Sequence, residues 1–161
     1  MKAITVWQLW ATALALGIKK NETRSWPTKY RGPIAIHAAA RNDGLLRGSW
    51  MDVNNAMSDA GHDYFIRKVL NGGPYYIEYR DENREVICDL EFGAIIGTAN
   101  LVDCVEITPE YISTLSPQEL ALGDYTLGRY AWVMHGAKLL DESIPCRGQQ
   151  RIWEYKGKIR V

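Results

Sequence analysis

Gly17-Ile18-Lys19-Lys20-Asn21-Glu22-Thr23-Arg24-Ser25-Trp26 is the stretch on which the fold turns. Before it, Gln8–Leu16 is a run of helix formers, and Gly17 stands where a left-handed residue ends a helix. The run carries Leu9, Trp10, Ala11, Ala13, Leu14, Ala15 and Leu16, apolar nearly all round, so the helix is expected to be buried on most sides. After Gly17 the chain turns at once into the strand-like segment Asn21–Trp26. Side chains alternate along a strand, so Glu22, Arg24 and Trp26 are expected to share a face, with Lys19 at the strand's mouth. Two cations, a carboxylate and an indole thus converge beside a buried helix.

Set in a cleft, these residues make a binding site. Arg24 holds Glu22 through a bidentate pair, Lys19 is free to meet a phosphate, carbonyl or oxyanion, and Trp26 offers a π-face to a base. On open surface the same residues are a solvated strand with a surface salt bridge. If the site reacts, Glu22 is the candidate base and Lys19 the charge stabiliser. Alternatively, a lysine desolvated beside Arg24 acts as nucleophile or base. A carboxylate held by an arginine is a weak base, and in that case the site binds without reacting.

Working outward, Ala3–Val6 reads as a strand, as does Gly32–Ala39, where Ile34, Ile36 and Ala38 alternate with Ala35, His37 and Ala39. Residues 45–70 read as two helices broken near Gly61, stopped by Asn71-Gly72-Gly73-Pro74. Tyr75–Tyr79 and Val86–Phe92 flank a polar turn. Ala94–Val105 is a long strand with Gly93 and Gly97 as bend or bulge points. Thr108-Pro109-Glu110 starts a short helix, and Ser116-Pro117-Gln118-Glu119 starts another with a capping box. Tyr130–Leu140 is a strand with a bulge at Gly136, and Gln150–Tyr155 with Lys158–Val161 is a closing hairpin. Seven or so strands interrupted by helices, without regular alternation, predict an α+β fold built on a mostly antiparallel curved sheet or barrel.

The length of 161 residues suits one domain spanning 1–161. An apolar fraction of 47% and a charged fraction of 24% are those of a soluble globular chain. No apolar run approaches the ~20 residues that span a bilayer. No charged leader, apolar stretch and cleavage site occur in series at Met1–Val6. A cytoplasmic protein without a membrane partner is expected. Cys88, Cys104 and Cys146 are an odd number at wide spacing, read as reduced, largely buried thiols, with neither a metal site nor a cofactor implied.

Charge is unevenly placed on this neutral chain. Residues 1–47 carry eight Lys/Arg and two Asp/Glu (+6), residues 147–161 five and one (+4), and residues 48–146 six and sixteen (−10). Ends that meet in space would form a positive face attractive to phosphate. His37, in an apolar alternating strand, reads as structural, and His62 and His135 have no motif partners. The loop 123–128 is glycine-flanked but lacks the Gly-Lys-Ser/Thr of a P-loop. Arg129, Arg147 and Gln149 are candidates to complete the cleft from the far end of the chain. Trp7 and Trp10 are candidates to line it at the helix entry, with Trp10 also a core candidate. Trp132 and Trp153 read as core.

Gly17-x-Lys19-x-x-Glu22-x-Arg24 resembles the G-x-K-x-x-E-x-R signature of the ASCH family, within the PUA-like superfamily. The segment Trp7-Gln8-Leu9-Trp10-Ala11 resembles the family's Q-P-W-A helix entry, with Leu9 in place of Pro. Tyr30–Ala38 resembles its R-G-x-I-x-I-H-A strand, and Phe92–Ala99 the central barrel strand. Gly128–Trp132 and Pro145–Gln150 resemble the C-terminal strand and the loop after it. The matches cover most of the chain in order. The resemblance implies a PUA-like β-barrel with flanking helices and a cleft, lined by the signature, for RNA or a nucleotide or nucleoside; Gln8 joins the candidate binding residues on this basis. It also brings an alternative, since some small members are amidohydrolases that deacetylate N4-acetylcytidine with a Lys, a Thr and a distant Glu. Lys19 matches that Lys, Glu22 occupies the Thr position, and no motif marks the distant Glu. Ribonuclease activity is a further alternative, unsupported by any His pair here. A protein-interaction module is the remaining class.

Overall fold

A computed structural model describes residues 1–40, 54–57, 63–68, 75–80, 82 and 85–160, with only the backbone for 63–68 and 75. Strand β1 (Lys2–Val6) leads into helix α1 (Trp10–Ala15), then β2 (Asn21–Arg24) and β3 (Gly32–Ala38). A helical turn at 54–57 precedes β4 (Asp63–Lys68), β5 (Tyr75–Arg80) and β6 (Glu85–Asp89). Then come β7 (Ala94–Glu106), the short helices α2 (Pro109–Ser113) and α3 (Pro117–Ala121), β8 (Tyr130–Pro145) and β9 (Ile152–Glu154).

Six strands form one sheet in the order β2-β8-β7-β3-β1-β9, curled into a half-barrel, and β4-β5-β6 form a separate antiparallel meander. All pairs in the large sheet are antiparallel except β1 with β3. Its curvature comes from the two longest strands, β7 and β8, which pair from Ala94↔Pro145 to Glu106↔Tyr130 through three register shifts. Each leaves more residues on one strand than on the other and bends the ribbon. Gly136 takes φ 59° within one of them. The expected α+β, mostly antiparallel barrel-like fold is what the chain adopts.

Helix α1 lies inside the curl. Its entry is capped by Gln8, whose Oε1 accepts from Thr12 N (3.1 Å) and Thr12 Oγ1 (2.9 Å); Leu9, at the N-cap position, has no polar side chain to do this. The helix can approach the sheet because Gly97 has no Cβ. One built there would stand 2.7 Å from Ala15 Cβ and 2.9 Å from Lys138 O. The inner face of α1 packs with Ile4, Ile34, Ile36, Leu101 and Trp132 in the main core. Its outer face packs with Met57, Ile77, Tyr79 and Leu90 of the meander region. That two-sided burial is why the helix is apolar nearly all round.

Four expectations need correction. Residues 63–68 form strand β4, not helix, because β5 pairs with them from Asp63↔Arg80 to Lys68↔Tyr75; the rest of the 45–70 reading, outside 54–57, falls outside the described residues, as do Gly61, His62 and Asn71–Pro74. The closing hairpin does not form: β9 pairs antiparallel with β1, and 158–160 add no strand. The described residues contain nine strands rather than about seven. The three cysteines are free, as expected, but half-buried rather than largely buried.

Candidate functional site

The local fold around Lys19 follows from the end of α1. Gly17 takes φ 70°, a left-handed turn that any Cβ would strain. The chain doubles back so that Lys19 N–H donates to Ala13 O (3.0 Å). This folds Lys19 under the helix it follows, and β2 then runs antiparallel to β8, Glu22 opposite Trp132 and Arg24 opposite Tyr130.

A cavity of about 390 Å³ opens here. Trp7, Trp10 and Val6 wall it on one side, Lys19, Glu22 and Thr23 on another, and Ala121, Leu122, Gly123 and Asp124 close it. Lys19 is only 2% exposed, yet its amine makes no hydrogen bond or ion pair among the described residues. Its pKa lies below the ordinary 10.5, first because burial penalises the charged form; Glu22 and Glu119 oppose the shift, and Arg24 adds to it. Trp7 lines the cavity and is 44% exposed.

Glu22 is held by Arg24, with Nε 2.9 Å from Oε1, close enough for an ion pair although the N–H is poorly aligned with the oxygen. Arg24 also donates from Nη2 to Thr5 O (2.7 Å), so it stands behind Glu22 as a brace rather than in the cavity wall. Lys19 and Glu22 are therefore brought together by the structure, with Arg24 as support.

The remaining sequence candidates separate. Trp7 and Trp10 line the cavity. Trp26 does not: β2 ends at Arg24, and beyond it the Trp26 ring packs edge-on to Trp132, centroids 4.6 Å apart. Gln8 is buried and bonded at both ends of its amide, accepting from Thr12 and donating to Glu91 O (2.6 Å). Arg129 sits behind β2, donating to Thr23 O (3.2 Å), with its Nε 3.3 Å from Asp124. Arg147 and Gln149 are exposed on the loop after β8, outside the cavity wall. His37 is buried, donates from Nε2 to Cys146 O (3.0 Å) and lies edge-on to Trp153.

Glu119 was not singled out for the site. Ser116 Oγ accepts from Glu119 N (3.1 Å), half of a capping box. The carboxylate does not return to Ser116; it accepts from Lys20 N and Asn21 N, both at 2.9 Å, and from Tyr125 OH at 2.8 Å. It thus clamps the start of β2 and sets the direction in which Lys19 leaves the backbone. Tyr125 remains a donor, its pKa raised by burial and by the charge of Glu119. Gly123 makes room for this ring, since a Cβ would stand 2.5 Å from Tyr125 Cε2. A serine-to-glutamate spacing is the only sequence trace of this contact, and it reads first as a helix start.

An amine, a carboxylate and a hydroxyl in an aromatic-walled cavity can hold a planar polar ligand. The ASCH-domain family model matches residues 4–155. The chain belongs to the ASCH-domain family. That family is generally associated with RNA binding. The human protein activating signal cointegrator 1 is 24% identical over 156 residues, covering 97% of this chain but 22% of that protein's length. This ASCH chain therefore spans about a fifth of the relative it matches. No helix among its described residues is long and apolar enough to cross a membrane, and no cluster of three or more His, Cys, Asp and Glu side chains is placed to hold a metal ion.

Proposed function

We propose that this ASCH domain binds RNA by taking one nucleobase into the cavity between Trp7, Trp10 and Lys19. The observation that carries the reading is the amine of Lys19, without a hydrogen bond or ion pair among the described residues, in a buried side chain that lines a cavity with indole walls. A base presents a π-face to tryptophan and carbonyl or ring-nitrogen acceptors to an ammonium donor. Glu22, fixed by Arg24, supplies an acceptor for an exocyclic amine. About 390 Å³ lies within the usual range of small-ligand pockets and leaves room for the sugar. RNA is favoured over DNA by the association of the family. Binding measured for RNA, DNA and free nucleosides at two salt concentrations tests this. Lys19→Ala should abolish binding, and undiminished affinity in that variant would contradict the reading.

A second reading, hydrolysis of an acylated base, is favoured by one feature: Lys19, Glu22 and Thr23 line the same cavity, and burial lowers the Lys19 pKa toward that of a usable base. In such a reaction water adds across the amide of N4-acetylcytidine, giving acetate and cytidine. Incubation of that nucleoside with concentrated protein decides it, since absence of product ends the hydrolase reading.

A further inference from the structure

The loop Cys146–Arg151 after β8 is firmly seated. His37 donates to Cys146 O (3.0 Å), and Thr5 Oγ1 donates to Gln149 O (2.9 Å). Gly148 lies so close to both that a Cβ would stand 2.4 Å from His37 Cε1 and 2.8 Å from Thr5 Oγ1. Arg151 takes φ 60°, a left-handed backbone uncommon outside glycine and found disproportionately where function fixes a residue.

The arginine and glutamine side chains on this anchored backbone nevertheless make no hydrogen bond among the described residues. Arg147, Gln149, Gln150 and Arg151 are exposed, and neither arginine has an ion pair among the described residues. The Arg151 guanidinium lies over the Trp26 ring, 5.8 Å from its centroid. A guanidinium held over an aromatic face by a cation–π contact keeps N–H donors available for a phosphate. The loop also adjoins the cavity. Arg24 joins Glu22 of the cavity wall to Thr5 O, Thr5 holds Gln149, and Val6 and Trp7, next in the chain, line the cavity.

We propose that Arg151 and Arg147 form a phosphodiester subsite beside the base cavity, with Trp26 as the positioning platform, so that the ligand is a single-stranded oligonucleotide rather than a free nucleoside. This rests on the nucleobase reading of the cavity. A base reaches the cavity only when unstacked, and the backbone on one side of it then passes over the loop, where two cations meet the adjoining phosphate.

The test compares a fluorescein-labelled hexaribonucleotide with a free nucleoside, using wild type, Lys19→Ala, Arg151→Gly and the Arg147→Ala/Arg151→Gly pair. Glycine accepts φ 60° without strain, so Arg151→Gly should hold or raise the melting temperature while weakening the oligonucleotide. The double variant should lose about tenfold in oligonucleotide affinity near 0.1 M salt, with a salt slope shallower by about one, and keep its nucleoside affinity. Wild-type oligonucleotide affinity in the double variant overturns the subsite and leaves the cavity reading standing. Equal loss of nucleoside and oligonucleotide also overturns it, because the loop would then only support the cavity. If Lys19→Ala binds the oligonucleotide normally while the double variant does not, the cavity reading falls and the proposed adjacency falls with it.

Discussion

Lys19 is costly where it stands, and that cost identifies it. A buried amine with no hydrogen bond or ion pair among the described residues is less stable charged than an ordinary lysine, and the unfolded chain binds its proton more tightly. Replacing it by an apolar side chain of similar length removes the penalty. Lys19→Met should therefore raise stability by about 1 kcal/mol in urea unfolding while nucleotide binding is lost, the trade-off usual at sites built for ligands. The reverse sign holds for a lysine that merely braces the fold. His37 titrates in a different range. Burial holds its pKa below 6.5, and Nδ1 has no hydrogen-bond partner among the described residues. The unfolded chain thus takes up the proton first, so stability is full above about pH 6.5 and falls as the pH drops toward the native pKa, by at most ~1.4 kcal/mol per pH unit. Thermal melts between pH 7.5 and 5 should show this slope in wild type and lose it in His37→Gln. At this scale the wall of the candidate cavity was legible where its residues are close in sequence. Lys19, Glu22 and Arg24 are separated by one turn and one strand, and local geometry brings them together. Glu119 and Asp124 meet them from about a hundred residues away, through contacts no local pattern encodes. Trp26 misled because strand alternation was extended two residues past the strand's end.

Two contacts between elements decide the shape of the site. The first is Glu119 of α3 against the start of β2. Glu119→Ala leaves two backbone N–H groups and the Tyr125 hydroxyl without their acceptor, a loss of about 2–4 kcal/mol. Glu119→Gln should cost less in the melt but lower the Lys19 pKa further, since the carboxylate's charge opposes the burial shift; NMR titration of the methylated lysine side chains reads this directly. The second is the seat of α1 on β7 at Gly97. Gly97→Ala should destabilise by about 1–3 kcal/mol, because the new methyl meets the Ala15 Cβ and the Lys138 carbonyl oxygen, neither of which can swing aside. The same contacts explain which elements could be read in advance. The buried helix, its glycine stop and the long strands carry their own signals. Residues 63–68 carry a short apolar run that suits helix or strand equally; pairing with β5, a non-local event, makes them a strand. Likewise β9 shows strand character but nothing of its partner, which lies at the other end of the chain.

Across the whole molecule, charge is arranged rather than accumulated. The net charge is zero, yet β1 and β9 lie side by side and bring the two basic ends of the chain together. Several of those charges are neutralised where they stand, Lys2 by Glu154 and Arg31 by Asp103. Attraction to nucleic acid should consequently be local and modest. For single-stranded RNA, the logarithm of affinity against the logarithm of salt should have a slope of about −1 to −2, as for two or three phosphate contacts, and a slope steeper than about −4 would point to a broader basic surface. One tryptophan gives the architecture a further property. Trp10 packs against the half-barrel core, against the meander's cluster and into the cavity wall at once. A guest pressing on that indole would tighten strands that it never touches, and deuterium uptake at the backbone amides of 75–80 would slow when the guest arrives.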